Sequence, residues 1–357
     1  MTLTVNLPNF TIGENAYDEI ATYCAPFGTK VAIIGGKKAL EASQERLLNA
    51  LSKTELEAID TIWYGKNANL SNIDRLSEIE SVKEADMLFA VGGGRAIDAV
   101  KSVAHRLDKP VFSFPTIAST CAPTTAVCVL YEDSGEMHGL EMLAQPPIHS
   151  FADSTVIAEA PTEYLWAGIG DAITKEIEAT FSARDRELSF ENDLGVKIVQ
   201  GCNERLLANG KAAMDAANEH KASPAIDKVL QEIIGTTALT SVLVDNDYNS
   251  NLAHALYYGA TATKSGETHL HGEWTCYGAL VLLTMDKQYE TRDKLFEFMK
   301  SIHLSTNLEQ LELTSEVDFN KMIDKCMTMA DIKVSPYEIT REMVVSAIQE
   351  VEELNKL

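Results

Sequence analysis

Between residues 30 and 115, short apolar runs alternate with helical patterns, and this rhythm constrains the chain more than any other feature. An apolar run from Lys30 ends in Gly35-Gly36 and leads into KKALEASQERLLNALS. A second run near Ile59–Tyr64 precedes a polar helical pattern from about Ser71 to Ala85. MLFAVGGG, RAIDAVKSVAHRL and KPVFSFP then read as strand, helix and strand. Buried strands that alternate with amphipathic helices form βαβ units around a parallel sheet, with right-handed crossovers.

The pattern changes near residue 155. Val127–Tyr131 and Ile148–Phe151 are the last clear strand candidates, and helical periodicity follows Ala160-Pro161 almost to the end, in stretches such as Leu194–Ala216 and Ala225–Val244. The sequence therefore predicts an α/β domain over 1–157 and an all-helical domain over 158–357. A total of 357 residues suits two domains at roughly 150 residues each. Such a chain buries a sizeable core without disulfides or a structural metal, so any metal needs another reason to be present.

Charge narrows the partners. There are 30 Lys and Arg against 53 Asp and Glu, a net charge of −23. That balance argues against nucleic acid and anionic membranes, both of which need a basic surface. Six scattered cysteines without a CxxC pair read as reduced cytosolic thiols. The N-terminus has no basic segment followed by an apolar run, so no signal peptide is expected, and no apolar stretch approaches the ~18 residues needed to cross a bilayer. A cytoplasmic protein acting on a small molecule is the expectation.

An acidic protein binds phosphate groups with local devices. The strongest here is Leu88-Phe-Ala-Val-Gly92-Gly93-Gly94-Arg95, where a strand enters three glycines and then a helix. Such a turn lets a pyrophosphate approach the backbone at a helix N-terminus. It is not GxGxxG, and a tight structural turn has the same pattern. Phe114-Pro-Thr116-Ile-Ala-Ser119-Thr120 adds small hydroxyl residues after the next strand, able to bond phosphate or ribose or simply to form a turn.

Three segments of the helical half carry groups of metal-ligand type: Gly170-Asp171, Ala253-His254-Ala255, and His269-Leu-His271-Gly272. Asp171 reads as the start of a helix, where N-capping is the alternative role. His254 reads as a helical histidine, and His271 as part of an irregular turn. One carboxylate and two imidazoles form a catalytic-zinc type of set with an open fourth position, although the long gaps between them do not by themselves select it.

Taken together, VGGGRAIDAVK, PTIASTCAP, VLYEDSGE, AGIGDAITK, HALYYG and HGEWTCYG resemble the iron-containing alcohol dehydrogenase family in its glycerol dehydrogenase-like branch. The segments occur in the family's order over nearly the whole chain. The resemblance implies a dehydroquinate synthase-like fold: a Rossmann-like domain, then a helical domain, with the active site in the cleft between them. It implies Zn2+, or another divalent ion such as Fe2+, on Asp171, His254 and His271. It implies NAD or NADP, with Gly36, Lys37, Gly92, Gly93 and Gly94 on the phosphate and adenosine side. Asp98 and Lys101 would complete the glycine-rich turn, while Thr116, Ser119, Val127, Val129 and Tyr131 would line the nicotinamide side. A homo-oligomer that transfers hydride reversibly between nicotinamide and a small polyol or 2-hydroxycarboxylate follows from the same resemblance.

Several positions depart from the branch. Cys121 replaces a substrate-pocket Asp, and Tyr257 replaces a second His three residues after His254. Lys175 stands where four-ligand members carry a His, which fits three ligands, and its ammonium could serve a substrate carboxylate. Asp171 or Glu178 would be its ordinary ion-pair partners. Gly36-Lys37-Lys38 replaces the acid that would hold the ribose 2′-OH, so NADP is expected to be accepted or preferred. The alternatives are a dehydroquinate synthase-like lyase and a non-catalytic NAD(P)-binding protein. The first would need a basic cluster, which the helical half lacks, and would use Glu in place of the ligand Asp.

Overall fold

The computed structural model describes residues 4–356. Its strands are β1 (Phe10–Gly13), β2 (Lys30–Gly35), β3 (Glu57–Trp63), β4 (Met87–Gly92), β5 (Val111–Pro115), β6 (Val127–Tyr131), β7 (Met137–Met142) and β8 (His149–Asp153). Six of them form one sheet in the order β1-β8-β5-β4-β2-β3, with every pairing parallel. Successive residues of β2 and β4 feed opposite cores. Ile33, Phe89 and Val91 join Phe112, Phe114 and Phe151 on one side, and Ile34, Leu88 and Ala90 join Ile97 and Val100 on the other. A sheet covered on both faces explains why these strands are continuously apolar. The protein has the expected fold, an α/β Rossmann-like part and a helical part.

The described residues divide into two compact units. One runs to Leu165 and includes Asp215–Val242; the other comprises Trp166–Met214 and the chain from Leu243 onward. The strand order reverses direction between β2 and β4, the kind of switch point where open α/β sheets bind ligands beyond their strand ends. Both strands end in glycine there, and Gly36 N–H donates to Val91 O at 3.2 Å. Among the described residues, no helix is long and apolar enough to cross a membrane.

Several local expectations change. Ser71–Ala85 is two helices, Leu70–Ser77 and Glu80–Glu84, because the linking Ile79 turns into the core. Leu194–Ala216 is also two, Phe190–Val199 and Cys202–Asn218. Glu176, from a distant helix, accepts the N–H groups of Gly201 (2.9 Å) and Asn203 (2.6 Å) at the second start. Within Ala225–Val244 the segment Gln231–Thr236 is a π-turn, and Ile234 O accepts Thr124 Oγ1 at 2.6 Å. Strand β6 pairs antiparallel with β7 in a separate hairpin. Strands β1 and β7 had no periodic signal: β1 is a four-residue edge, and β7 is largely exposed.

One buried histidine gives the sheet a pH dependence. His149 in β8 stacks on Tyr23 with centroids 3.7 Å apart, its Nε2 lies 2.9 Å from Thr11 Oγ1, and burial pushes its pKa down to about 4. The folded pKa lies below the unfolded value of about 6.5, so the native form is neutral. Stability is fully present above pH 6.5 and is lost as pH falls toward 4, by about 2 kcal/mol at pH 5. Denaturant unfolding at pH 7 and pH 5 tests this. His149→Gln should lose less stability over that interval than the parent chain; equal losses would assign the effect elsewhere.

Candidate metal centre and dinucleotide turn

Asp171 lies in the middle of the 22-residue helix Thr162–Ala183, which corrects its reading as a helix start. The glycine at 170 is explained by helix contact: a Cβ there would sit 2.4 Å from Gly272 O. Gly272 is closer still, since its Cβ would lie 1.8 Å from Ala167 O. Two helices thus approach backbone to backbone beside Asp171, and His271 is the first residue of the second, His271–Met285. His254 comes from a third helix, Leu252–Ala260.

These helices bring one donor atom each from Asp171, His254 and His271 within 4.8 Å of one another. Asp171 Oδ1 lies 3.2 Å from His271 Nε2 and 3.8 Å from His254 Nε2. Burial raises the Asp171 pKa, but the His271 hydrogen bond and the two imidazoles outweigh it, so the net shift is downward and the carboxylate is held ionised. Burial likewise opposes charge on His254, and Glu178 more than offsets it, raising that pKa. Tyr257 packs edge-on to the His271 ring at 4.3 Å. His271 keeps 28% of its side chain exposed, so the cluster is open on that side.

Glu178 was not among the sequence candidates for this site. Its carboxylate is fully buried and accepts the N–H groups of Asn251 (2.8 Å) and His254 (3.0 Å) at the start of the Leu252–Ala260 helix. The same carboxylate bonds His254 Nδ1. A carboxylate on one imidazole nitrogen fixes the ring and directs the other nitrogen, the usual support of a metal-ligating histidine. Its position seven residues after Asp171, two turns along one face, was the available signal. Glu273, two residues after His271, accepts from Ser305 Oγ and lies 2.9 Å from His269 Nδ1. Lys175 Nζ donates to Asn249 O at 2.7 Å and to Asn249 Oδ1 at 3.1 Å, so its hydrogen-bond partner is not one of the two carboxylates named from the sequence.

Of the expected dinucleotide residues, Gly36 and Lys37 follow β2, Gly92–Gly94 close β4 and open the next helix, which carries Asp98, Thr116 and Ser119 follow β5, and Val127, Val129 and Tyr131 lie in β6. Gly36 caps the helix Lys37–Leu51, whose first residue carries its Nζ 4.4 Å from the centroid of the Trp63 ring. Gly92 has φ +145°, a conformation that side chains avoid. Gly93 caps the helix Gly94–Leu107, and Thr116 N–H donates to Gly92 O at 3.2 Å. Ser119 follows in the same loop and is half-buried. Asp98 is directed inward, where it pairs with Lys101 at 2.8 Å and accepts Val129 N–H at 3.0 Å. Val127 O accepts Lys101 Nζ, and the Tyr131 ring lies 5.0 Å below the Arg95 guanidinium.

Comparison with known proteins supplies the family. Residues 11–161 match the model of iron-containing alcohol dehydrogenases. The chain is 30% identical to a glycerol dehydrogenase of Thermotoga maritima over 302 residues, covering 82% of each chain. It is 29% identical to hydroxycarboxylate dehydrogenase A of Escherichia coli over 323 residues, covering 89% of this chain and 88% of that one. The crystal structure of glycerol dehydrogenase from Schizosaccharomyces pombe superposes with a TM-score of 0.87 at 22% identity, over 100% of this chain and 91% of that one. The chain belongs to the iron-containing alcohol dehydrogenase family, in its glycerol dehydrogenase-like branch, and is a metal-dependent oxidoreductase acting on CH–OH groups.

Proposed function

We propose that Asp171, His254 and His271 hold one divalent ion, zinc or iron, and that the enzyme oxidises a small alcohol with a nicotinamide dinucleotide as partner. The observation that carries this is the convergence of one carboxylate oxygen and two imidazole nitrogens within 4.8 Å, with Glu178 orienting one of the rings. The donor set fits a catalytic site, with three protein ligands and room for a fourth. When bound, such an ion supplies Lewis acidity at the substrate oxygen, and the dinucleotide accepts or returns the hydride. Asp171 contributes the negative charge, His254 is held in one orientation, and His271 stands on the exposed side. The Gly92–Gly94 turn and the helix start at Gly94 supply backbone N–H groups for a pyrophosphate.

Two substrate classes fit. A small polyol matches the glycerol dehydrogenase relatives. A 2-hydroxycarboxylate is favoured by Lys175, whose charge acts on Asp171 and which is fastened by Asn249 close to the cluster. Following NAD(P)H at 340 nm against polyols and 2-oxo acids, with metal analysis of the same preparation, decides between them. No turnover on either set, with no metal bound, would end the reading.

Cofactor choice is part of the same proposal. No acid follows β2, and Lys37 and Lys38 stand at the start of the next helix. A ribose 2′-phosphate there would meet cations and a helix N-terminus in place of a carboxylate. NADPH should serve as well as NADH or better in kcat/KM, and Lys37→Glu should shift the ratio toward NADH by about tenfold or more. A large NADH preference in the unmodified enzyme would refute this.

A further inference from the structure

Lys101 is a lysine whose ammonium does not reach solvent. It lies on the helix that begins at the glycine turn and is 1% exposed. Its Nζ sits 2.8 Å from Asp98 Oδ1 and donates to the main-chain carbonyls of Val127 (2.6 Å), Ala122 (3.0 Å) and Thr125 (3.3 Å). A buried ammonium is costly unless oxygens surround it, and here most of those oxygens belong to the backbone of one segment. That segment runs from the end of β5 into the first residue of β6 and contains Thr116 and Ser119. It is tied elsewhere by Ser113 Oγ to Pro123 O and by Thr124 Oγ1 to Ile234 O, each at 2.6 Å. Asp98 carries the grip into β6 through Val129 N–H. Burial lowers the ammonium's affinity for its proton, and Asp98 more than offsets this, so the pKa is raised and the charge stays in place.

We infer that Lys101 is a positioning residue for dinucleotide binding. Its buried ammonium gathers the carbonyls of Ala122, Thr125 and Val127. The glycine turn and the Thr116–Ser119 stretch are thereby held as one preformed surface. A well-packed apolar side chain in this place would neutralise nothing and gather nothing, yet would fill the same space at lower desolvation cost. The inference rests on reading this unit as the dinucleotide site.

The test is NADH binding to the full-length, metal-loaded enzyme, followed by nicotinamide fluorescence. Lys101→Met should weaken binding roughly 10- to 100-fold, the range for a lost charge-assisted anchor. KM for the dinucleotide should rise, while kcat at saturation changes less and metal stoichiometry stays at the parent value. Because that variant leaves Asp98 unpaired, Asp98→Asn/Lys101→Met is measured beside it; both charges are then gone and the volume is kept. The double variant should remain weak, since position 101 again donates nothing to the three carbonyls, and it decides the matter if the single variant fails to fold. A parent-like Kd in either variant overturns the inference, and recovery in the double variant alone would show that the lysine only neutralises Asp98. If the unmodified enzyme binds neither NADH nor NADPH, the dinucleotide reading itself falls, and this inference with it.

Discussion

Asp171→Asn is expected to lose the metal and about three orders of magnitude in kcat/KM, while the folded chain still binds dinucleotide. The substitution keeps size and shape and removes the one carboxylate of the ligand trio, whose oxygen lies 3.2 Å from His271 Nε2. The charge that draws a cation between the two imidazoles is then gone. A chelator should have the same effect on the unmodified enzyme, reversed by adding zinc or iron. Glu178→Gln should be milder, with roughly 10- to 100-fold weaker metal binding, because it loosens His254 without removing a ligand. The measurements are metal content per chain, metal titration and steady-state rates on one preparation. An Asp171→Asn enzyme that keeps one ion per chain and its parent rate would sink the metal assignment.

The second large effect concerns a residue that touches no substrate. Gly272→Ala places a Cβ 1.8 Å from Ala167 O and 2.6 Å from Ala167 C, all backbone, so no rotamer change can relieve the clash. The helices Thr162–Ala183 and His271–Met285 must move apart. Overpacking of this kind costs about 1–3 kcal/mol even where side chains can yield. The movement carries His271, the neighbouring residue, away from Asp171. Displacement of a reacting group by about 1 Å costs on the order of a hundredfold in rate, so metal affinity and kcat/KM should fall together while Tm drops by several degrees. Gly278→Ala is the companion, with its Cβ 2.6 Å from Ala253 Cα on the helix that carries His254. Thermal melts and metal titration test both; a Gly272→Ala chain with unchanged Tm and metal affinity would show that the helices are free to slide.

Much of the fold was legible because local rules set it. Apolar runs of strand length followed by glycine and a helical period led to β2, β4 and β5 and the helices after β2 and β4. The glycine turn was visible because only glycine tolerates the φ of +145° at residue 92. What stayed hidden was decided by side chains from elsewhere in the chain. Glu176 starts the Cys202–Asn218 helix, and the core residues against which Ile79 packs divide one helical pattern in two. No local pattern contains those partners.

The same division runs through the candidate site. Residue type and a family likeness singled out Asp171, His254 and His271, because carboxylate and imidazole chemistry can be recognised wherever it stands. Tertiary structure alone decided that they meet: three helices approach through Gly170, Gly272 and Gly278, positions where the missing Cβ is what allows the contact. It also decided which groups support them, since Glu178 on His254 and Asn249 on Lys175 are contacts across 76 and 74 residues of chain. Sequence carries chemistry position by position, whereas orientation comes from packing, and packing joins residues that no local pattern relates.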